Sequence, residues 1–177
     1  MEFHDIDFCD QKIYNYREMP RKKGGDCMII TFIGHSSIIN RDIIKKKVEG
    51  ILAEKLPKGE KVLFWCGGYG DFDELCASVC RRIKAERADT EIVYVTPYIS
   101  PAHQDRMKCY INSKLYDSII YPPLENVPLK FAISKRNEWM ISNADIVVSY
   151  VTCSFGGAYK SLQFARRRKK QIIEIFD

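Results

Sequence analysis

Two glycine-rich turns carry the residue types most suited to holding an anion. The first is Gly67-Gly68-Tyr69-Gly70-Asp71-Phe72-Asp73, directly after the apolar run Lys61-Val62-Leu63-Phe64-Trp65-Cys66. The second is Ser154-Phe155-Gly156-Gly157-Ala158-Tyr159, after Ile146-Val147-Val148-Ser149-Tyr150-Val151. A strand, a glycine turn and a helix in succession bring backbone N–H groups close to a phosphate. A third strand end, Gly34-His35-Ser36, belongs with them. Glycine in such a turn also serves plain positive φ, so the types alone leave a structural role open.

Arg136 is the sharpest local anomaly. At 100° per residue, Leu129, Ile133, Met140 and Ala144 form one apolar stripe, and Arg136 and Asn137 fall within it. A buried guanidinium without a partner is very costly. Three readings stand open: a salt bridge to a buried acid such as Asp145, snorkelling to the surface, or a crevice-facing cation whose donors match a phosphate. Asn137 would orient Arg136 or read a ribose or base edge. Ser36, Ser154 and Tyr159 would add hydroxyl contacts, and His35 reads equally as a general base or as a local turn ligand.

These residues must be positioned by alternating strands and helices. Residues 28–33 form a strand of buried length, ended by Gly34-His35-Ser36-Ser37. Asn40 is the expected cap of a helix whose stripe is Ile44, Val48, Ile51, Leu52 and Leu56. Asp71 with Glu74 reads as a capping box before a helix burying Leu75, Val79 and Ile83. Strands follow at 91–96, 118–121, 146–151 and 171–176, and helices at 129–143 and 156–168, with 98–117 expected to be loop-rich. The pattern predicts an α/β, Rossmann-like three-layer sandwich: a mostly parallel sheet with helices on both faces and the ligand crevice beyond the strand carboxyl ends. Residues 1–26, including a linker at 21–26, read as an N-terminal extension, and 27–177 as a single domain.

Composition bounds the function. A chain of 177 residues, with 46% hydrophobic and 29% charged residues, supports one soluble globular core. It has no apolar run near the ~20 residues of a membrane span and no signal-peptide pattern at its start, so no membrane role and a cytoplasmic setting are expected. Seven cysteines, an odd number, favour reduced thiols over a disulfide framework. Cys76 and Cys80 lack a second ligand pair, and no metal or other cofactor is expected. Cys66 and Cys153, at strand ends, are weaker candidates for a reactive thiol. The net charge of +5 is densest at Arg166-Arg167-Arg168-Lys169-Lys170. That run reads better as a solvated helix end than as a nucleic-acid surface, because no aromatics interleave it.

The pattern Arg136-Asn137-x-x-Met140, then Ala144-Asp145-Ile146-Val147-Val148, then Phe155-Gly156-Gly157 resembles the C-terminal core of the SLOG superfamily of Rossmann-like proteins. That superfamily includes the DprA/Smf proteins, the LOG phosphoribohydrolases and the YpsA-like proteins. The Cys66 to Asp73 turn and the Phe32-Ile33-Gly34-His35 strand end are most similar to the YpsA-like branch. The resemblance spans about residues 28–176. It implies a nucleotide or nucleotide-derived ligand and a homo-oligomer. Together with the strand ends and the Arg136 stripe, this gives Gly34, His35, Ser36, Gly67, Gly68, Gly70, Asp73, Arg136, Asn137, Ser154, Gly156, Gly157 and Tyr159 as the expected ligand-binding set. LOG enzymes carry Pro-Gly-Gly-x-Gly-Thr-x-x-Glu at the second turn. Here Phe155 takes the Pro position, Tyr159 and Lys160 replace Gly-Thr, and Gln163 replaces the catalytic Glu. A neutral amide can neither activate water nor stabilise a developing oxocarbenium ion. Binding is therefore expected over hydrolysis of a nucleoside monophosphate, for which Arg136 and Asp73 would be the catalytic residues. A DprA-like nucleic-acid role is the third reading.

Overall fold

In the computed structural model, which describes residues 13–15 and 27–176, strands and helices alternate along the chain. In order they are β1 (Ile13–Asn15), β2 (Cys27–Gly34), α1 (Arg41–Lys55), β3 (Lys61–Cys66), α2 (Asp71–Glu86) and β4 (Thr90–Val95). Then come α3 (Pro101–Asn112), β5 (Ser118–Tyr121), α4 (Leu129–Asn143), β6 (Ile146–Tyr150), α5 (Gly156–Arg167) and β7 (Gln171–Glu174). The seven strands form one sheet in the order β1-β5-β4-β3-β2-β6-β7. Every pairing is parallel. Part of the expected N-terminal extension thus supplies an edge strand, while the expected linker at 21–26 lies outside the described residues.

The sheet is parallel and covered on both sides because its strands are apolar on both faces. Side chains alternate across it with period two. Ile30, Phe32, Val62, Phe64 and Cys66 pack with Ile44, Val48 and Leu52 of α1, Leu75 and Val79 of α2 and Met107 of α3. Ile29, Leu63, Trp65, Val93 and Val95 face the other way, onto Met140 of α4. Ile33 and Val147 meet Ile141 of α4 and Ala165 of α5. Three helices therefore cover one face and two the other. The aromatic side of α4 is fixed by Trp139, stacked on Trp65 with centroids 4.9 Å apart and planes 5° from parallel.

Chain order reverses at β2, whose neighbours are β3 on one side and β6 on the other. Gly34 stands opposite Tyr150 at the last register position of that junction. In an open parallel sheet this reversal splays the following loops apart and opens a crevice at the strand carboxyl ends. The start of the junction is held by Asp145, whose backbone N–H donates to Ile29 O and whose Oδ2 accepts the Ile29 N–H, both at 2.8 Å. Asp117 does the same for Ile92 before β5.

Four local expectations are corrected. The stretch expected to be loop contains α3, which begins at Pro101 after Ser100. Proline suits a first helical position because its missing N–H is not needed there. Asn40 precedes α1 in a left-handed conformation with φ 57° and makes no side-chain cap. Asp71 and Glu74 do not form a capping box: Gly70 is the cap of α2, and Asp71 Oδ2 accepts the Ile38 N–H instead. On α4, Leu129 and Ile133 are exposed, and the buried face is Ala132, Arg136, Met140 and Ile141. The apolar stripe was assigned to one packing surface, whereas the start of α4 extends beyond the sheet.

No helix among the described residues is long and apolar enough to cross a membrane. Gly70 carries the chain from β3 into α2 in a conformation that favours glycine. Its φ is +95°, and a Cβ there would lie 2.5 Å from the Ser36 backbone Cα. Gly70→Ala is expected to lower folding stability by about 2 kcal/mol or more, read from urea unfolding, because neither strain nor clash can relax without moving the β2–α1 loop.

Candidate functional site

The crevice lies where the topology requires it, beyond the carboxyl ends of β2, β3 and β6, with a volume of about 340 Å³. That is the lower end of the size range of small-molecule sites. Gly34, His35 and Ser36 come from the end of β2, Gly67, Tyr69 and Asp73 from the turn after β3. Arg136, Asn137 and Met140 come from α4, and Cys153, Phe155, Gly156 and Gly157 from the turn into α5. Nine of the predicted ligand-binding residues are therefore brought together. Four are not: Gly68, Gly70, Ser154 and Tyr159 do not line it. Gly68 lies against the Tyr94 ring and Gly70 against Ser36, so both serve the path of the turn.

Arg136 forms the floor. It is 1% exposed and the largest fully buried side chain of the described residues. Its Nη1 donates to Gly67 O at 2.6 Å and to Val95 O at 2.8 Å, carbonyls at the ends of β3 and β4. The Tyr69 ring covers it, with the guanidinium carbon 5.4 Å from the centroid. Its Nε is buried without a partner. The salt-bridge reading with Asp145 is therefore corrected, since that carboxylate holds Ile29, and so is snorkelling. Gly67 is what allows the approach: a Cβ there would lie 2.5 Å from Arg136 Nη1 and 2.8 Å from Asp73 Oδ2.

Asp73 is the acid facing Arg136. Its Oδ2 accepts the Tyr69 N–H at 2.9 Å. Burial pushes its pKa above the ordinary 3.8, while Arg136 and the Tyr69 N–H pull it down without cancelling the rise. Burial likewise lowers the pKa of Arg136, opposed by Asp73 and by the tyrosines around it. The floor is thus a pair whose charges are each partly desolvated and partly matched.

The opposite wall is the start of α5. Phe155 precedes it with no side-chain cap, and the first turn carries no acidic residue. The leading N–H groups of that helix have no partner within it, and the dipole places partial positive charge there. Gly156 and Gly157 are exposed, and a Cβ at Gly157 would meet nothing within 4 Å. His35 ties the two walls together: its Nε2 accepts the Thr152 N–H at 2.9 Å, so in the neutral ring the proton is on Nδ1. That assigns it a positioning role between β2 and β6. Cys153 Sγ lies 3.7 Å from the same nitrogen. Cys66, by contrast, is buried in the core with Cys76 and Cys80.

Sequence reasoning missed Tyr69 and Phe155 as crevice residues. Each stands beside a glycine that was singled out, and an aromatic at a strand-end turn is a readable signal for a stacking surface. Gln163, at the position of the LOG acid, does not line the crevice. Among the described residues no three His, Cys, Asp or Glu side chains gather as a metal site.

The fold matches DNA processing protein A (DprA) from Streptococcus pneumoniae with a TM-score of 0.57 and 15% identity, over 85% of this chain and 50% of that one. It matches DprA from Helicobacter pylori, described for its single-stranded DNA binding mode, with a TM-score of 0.57 and 16% identity, over 85% and 66%. This chain thus spans half of one relative and just under two thirds of the other. The molybdenum cofactor carrier protein of Chlamydomonas reinhardtii aligns at a TM-score of 0.47 and 15% identity, over 85% and 77%. No protein-family model and no curated protein matches the sequence significantly. The chain shares its α/β fold with the two DprA structures.

The Arg136–Asp73 pair gives a pH signature. With its folded-state pKa above 3.8, Asp73 contributes stability that is fully present below about pH 4 and lost as pH rises through the folded value. Removing Arg136 raises that value further. Arg136→Met is expected to cost about 3–5 kcal/mol at pH 7, and distinctly less at pH 4, in urea unfolding at the two pH values.

Proposed function

We propose that this protein binds a nucleotide or nucleotide-derived phosphorylated ligand in the strand-end crevice. The observation that carries the reading is the open start of α5 facing a buried Arg136. One wall offers bare N–H groups without a capping side chain, and the floor offers a guanidinium whose Nε has no partner. A phosphate satisfies the first as an acceptor and is favoured by the helix dipole. The second is held in place by two strand carbonyls before any ligand arrives, so little ordering accompanies binding. Asp73 would sit poorly beside a phosphate and well beside a sugar hydroxyl, which can donate to it. Tyr69 and Phe155 line the crevice, and their rings would give a base a stacking partner. The arrangement favours phosphate against α5 and the nucleoside toward Tyr69 and Asp73.

Hydrolysis of an N-glycosidic bond is the second reading, and only Asp73 favours it, as the acid that lines the crevice. Free base released from a nucleoside monophosphate by the wild type, and not by Asp73→Asn, is the measurement that would establish it. The nucleic-acid reading has less support in this chain's own residues. Arg166 is held by Glu174 at 2.7 Å, and Lys170 donates to Ser142 O and Ala144 O. The basic run also lies at the far end of α5, about 18 Å from the crevice at 1.5 Å rise per residue.

Gly157→Asp separates ligand binding from folding. The position has open space and no positive φ, and an acid in the first turn suits the dipole. The variant is expected to keep or slightly raise its melting temperature while its affinity for nucleoside monophosphates falls at least about tenfold in calorimetric titration, since the carboxylate repels the phosphate. Unchanged affinity would sink the site assignment.

A further inference from the structure

A second cavity of about 360 Å³ runs between α4 and α5. It shares Ile133, Asn137 and Gly157 with the crevice, so the two are compartments of one groove bent over the start of α5. The shared rim is low. Gly157 has no side chain, and Asn137 is turned toward α5, its Nδ2 donating to Ser161 Oγ at 3.4 Å. The second compartment is cationic. Lys130 and Lys160 line it, and neither has an acidic partner among the described residues. The acid that lines it, Glu138, is neutralised by Lys135 at 2.8 Å. Lys130 Nζ lies over the Phe131 ring, 5.0 Å from its centroid, and a ligand ending at the α5 amides would leave this compartment and both ammonium groups without an anion.

We infer that the ligand carries a second anionic group beyond the first phosphate, seated between Lys130 and Lys160: a nucleoside diphosphate or a diphosphate-linked nucleotide rather than a monophosphate. The inference rests on the nucleotide reading above. The first phosphate would lie on the N–H groups at the start of α5. The next would pass over Gly157 into the α4–α5 groove, where the two lysines act as point charges on it. The remainder of a longer ligand would follow the apolar edge given by Ile133.

The test titrates the full chain calorimetrically with nucleoside mono- and diphosphates of each base, and with a diphosphate-linked sugar nucleotide of the base that binds. The wild type is expected to prefer the diphosphates by at least about tenfold. Lys130→Ala/Lys160→Ala, a surface change remote from the core, is expected to erase that preference while monophosphate affinity stays within about twofold. Equal affinity of the wild type for mono- and diphosphates, or a preference that survives in the double variant, overturns the inference. Monophosphate binding that is lost in Gly157→Asp shows that the nucleotide reading stands even when the second anionic seat does not. Absence of any nucleotide binding by the wild type overturns both.

Discussion

The guanidinium of Arg136 is the point from which the geometry of the crevice is set. One nitrogen binds the terminal carbonyls of two adjacent strands, Gly67 O and Val95 O, and so pins α4 across the ends of β3 and β4. A hydrogen bond from a charged donor to a carbonyl is stronger than a neutral one. Desolvating the charge is nevertheless expensive, and the surroundings offset that cost. Asp73 supplies countercharge, Tyr69 covers the cation with its ring face, and Gly67 leaves the space through which the side chain reaches the strand ends. Asp73 and Tyr69 are also held to each other, the Tyr69 N–H donating to Asp73 Oδ2 at 2.9 Å.

Asp73 offsets the charge of Arg136 at the floor of the crevice, so in the proposed reading the attraction for an anion falls to the walls. The densest basic run lies at the far end of α5, with Arg166 on Glu174 and Lys170 on the carbonyls of Ser142 and Ala144. What remains is local: uncapped helix amides, glycines that leave them accessible, and two lysines in the adjoining groove. Local donors at fixed positions read the shape of an anion, whereas a diffuse positive surface reads only its charge.

Much of this was legible along the chain. Apolar runs bounded by glycine and proline located the strands from β2 to β7, since both faces of a parallel sheet are buried and the runs are continuous. The carboxyl ends of a parallel sheet then gave the edge of the crevice, while its place at the reversal beside β2 came only from the strand order. The helix α3 was not legible, because Pro97, Ser100 and Pro101 read as loop signals, and within the helix only Met107 is fully buried. The roles of Asp71 and Asp73 were not legible either. Both fit a helix start by spacing, yet one anchors the loop after β2 and the other faces Arg136. Spacing places a side chain on a helix, but the partner comes from an element 33 or more residues away.

The sequence by itself determined the class of fold, the parallel sheet and the edge on which the crevice opens, because hydrophobic periodicity and strand-ending glycines are local properties that the chain carries wherever it folds. It also exposed Arg136 as a charge on an apolar face, without naming its partner. Tertiary structure alone decided that the partners are strand carbonyls and Asp73 rather than Asp145. It alone separated the glycines that border the crevice from those that only turn the chain, and joined the crevice to the groove between α4 and α5. Those outcomes depend on distances between elements remote in sequence, and these are set by how the helices pack on the sheet.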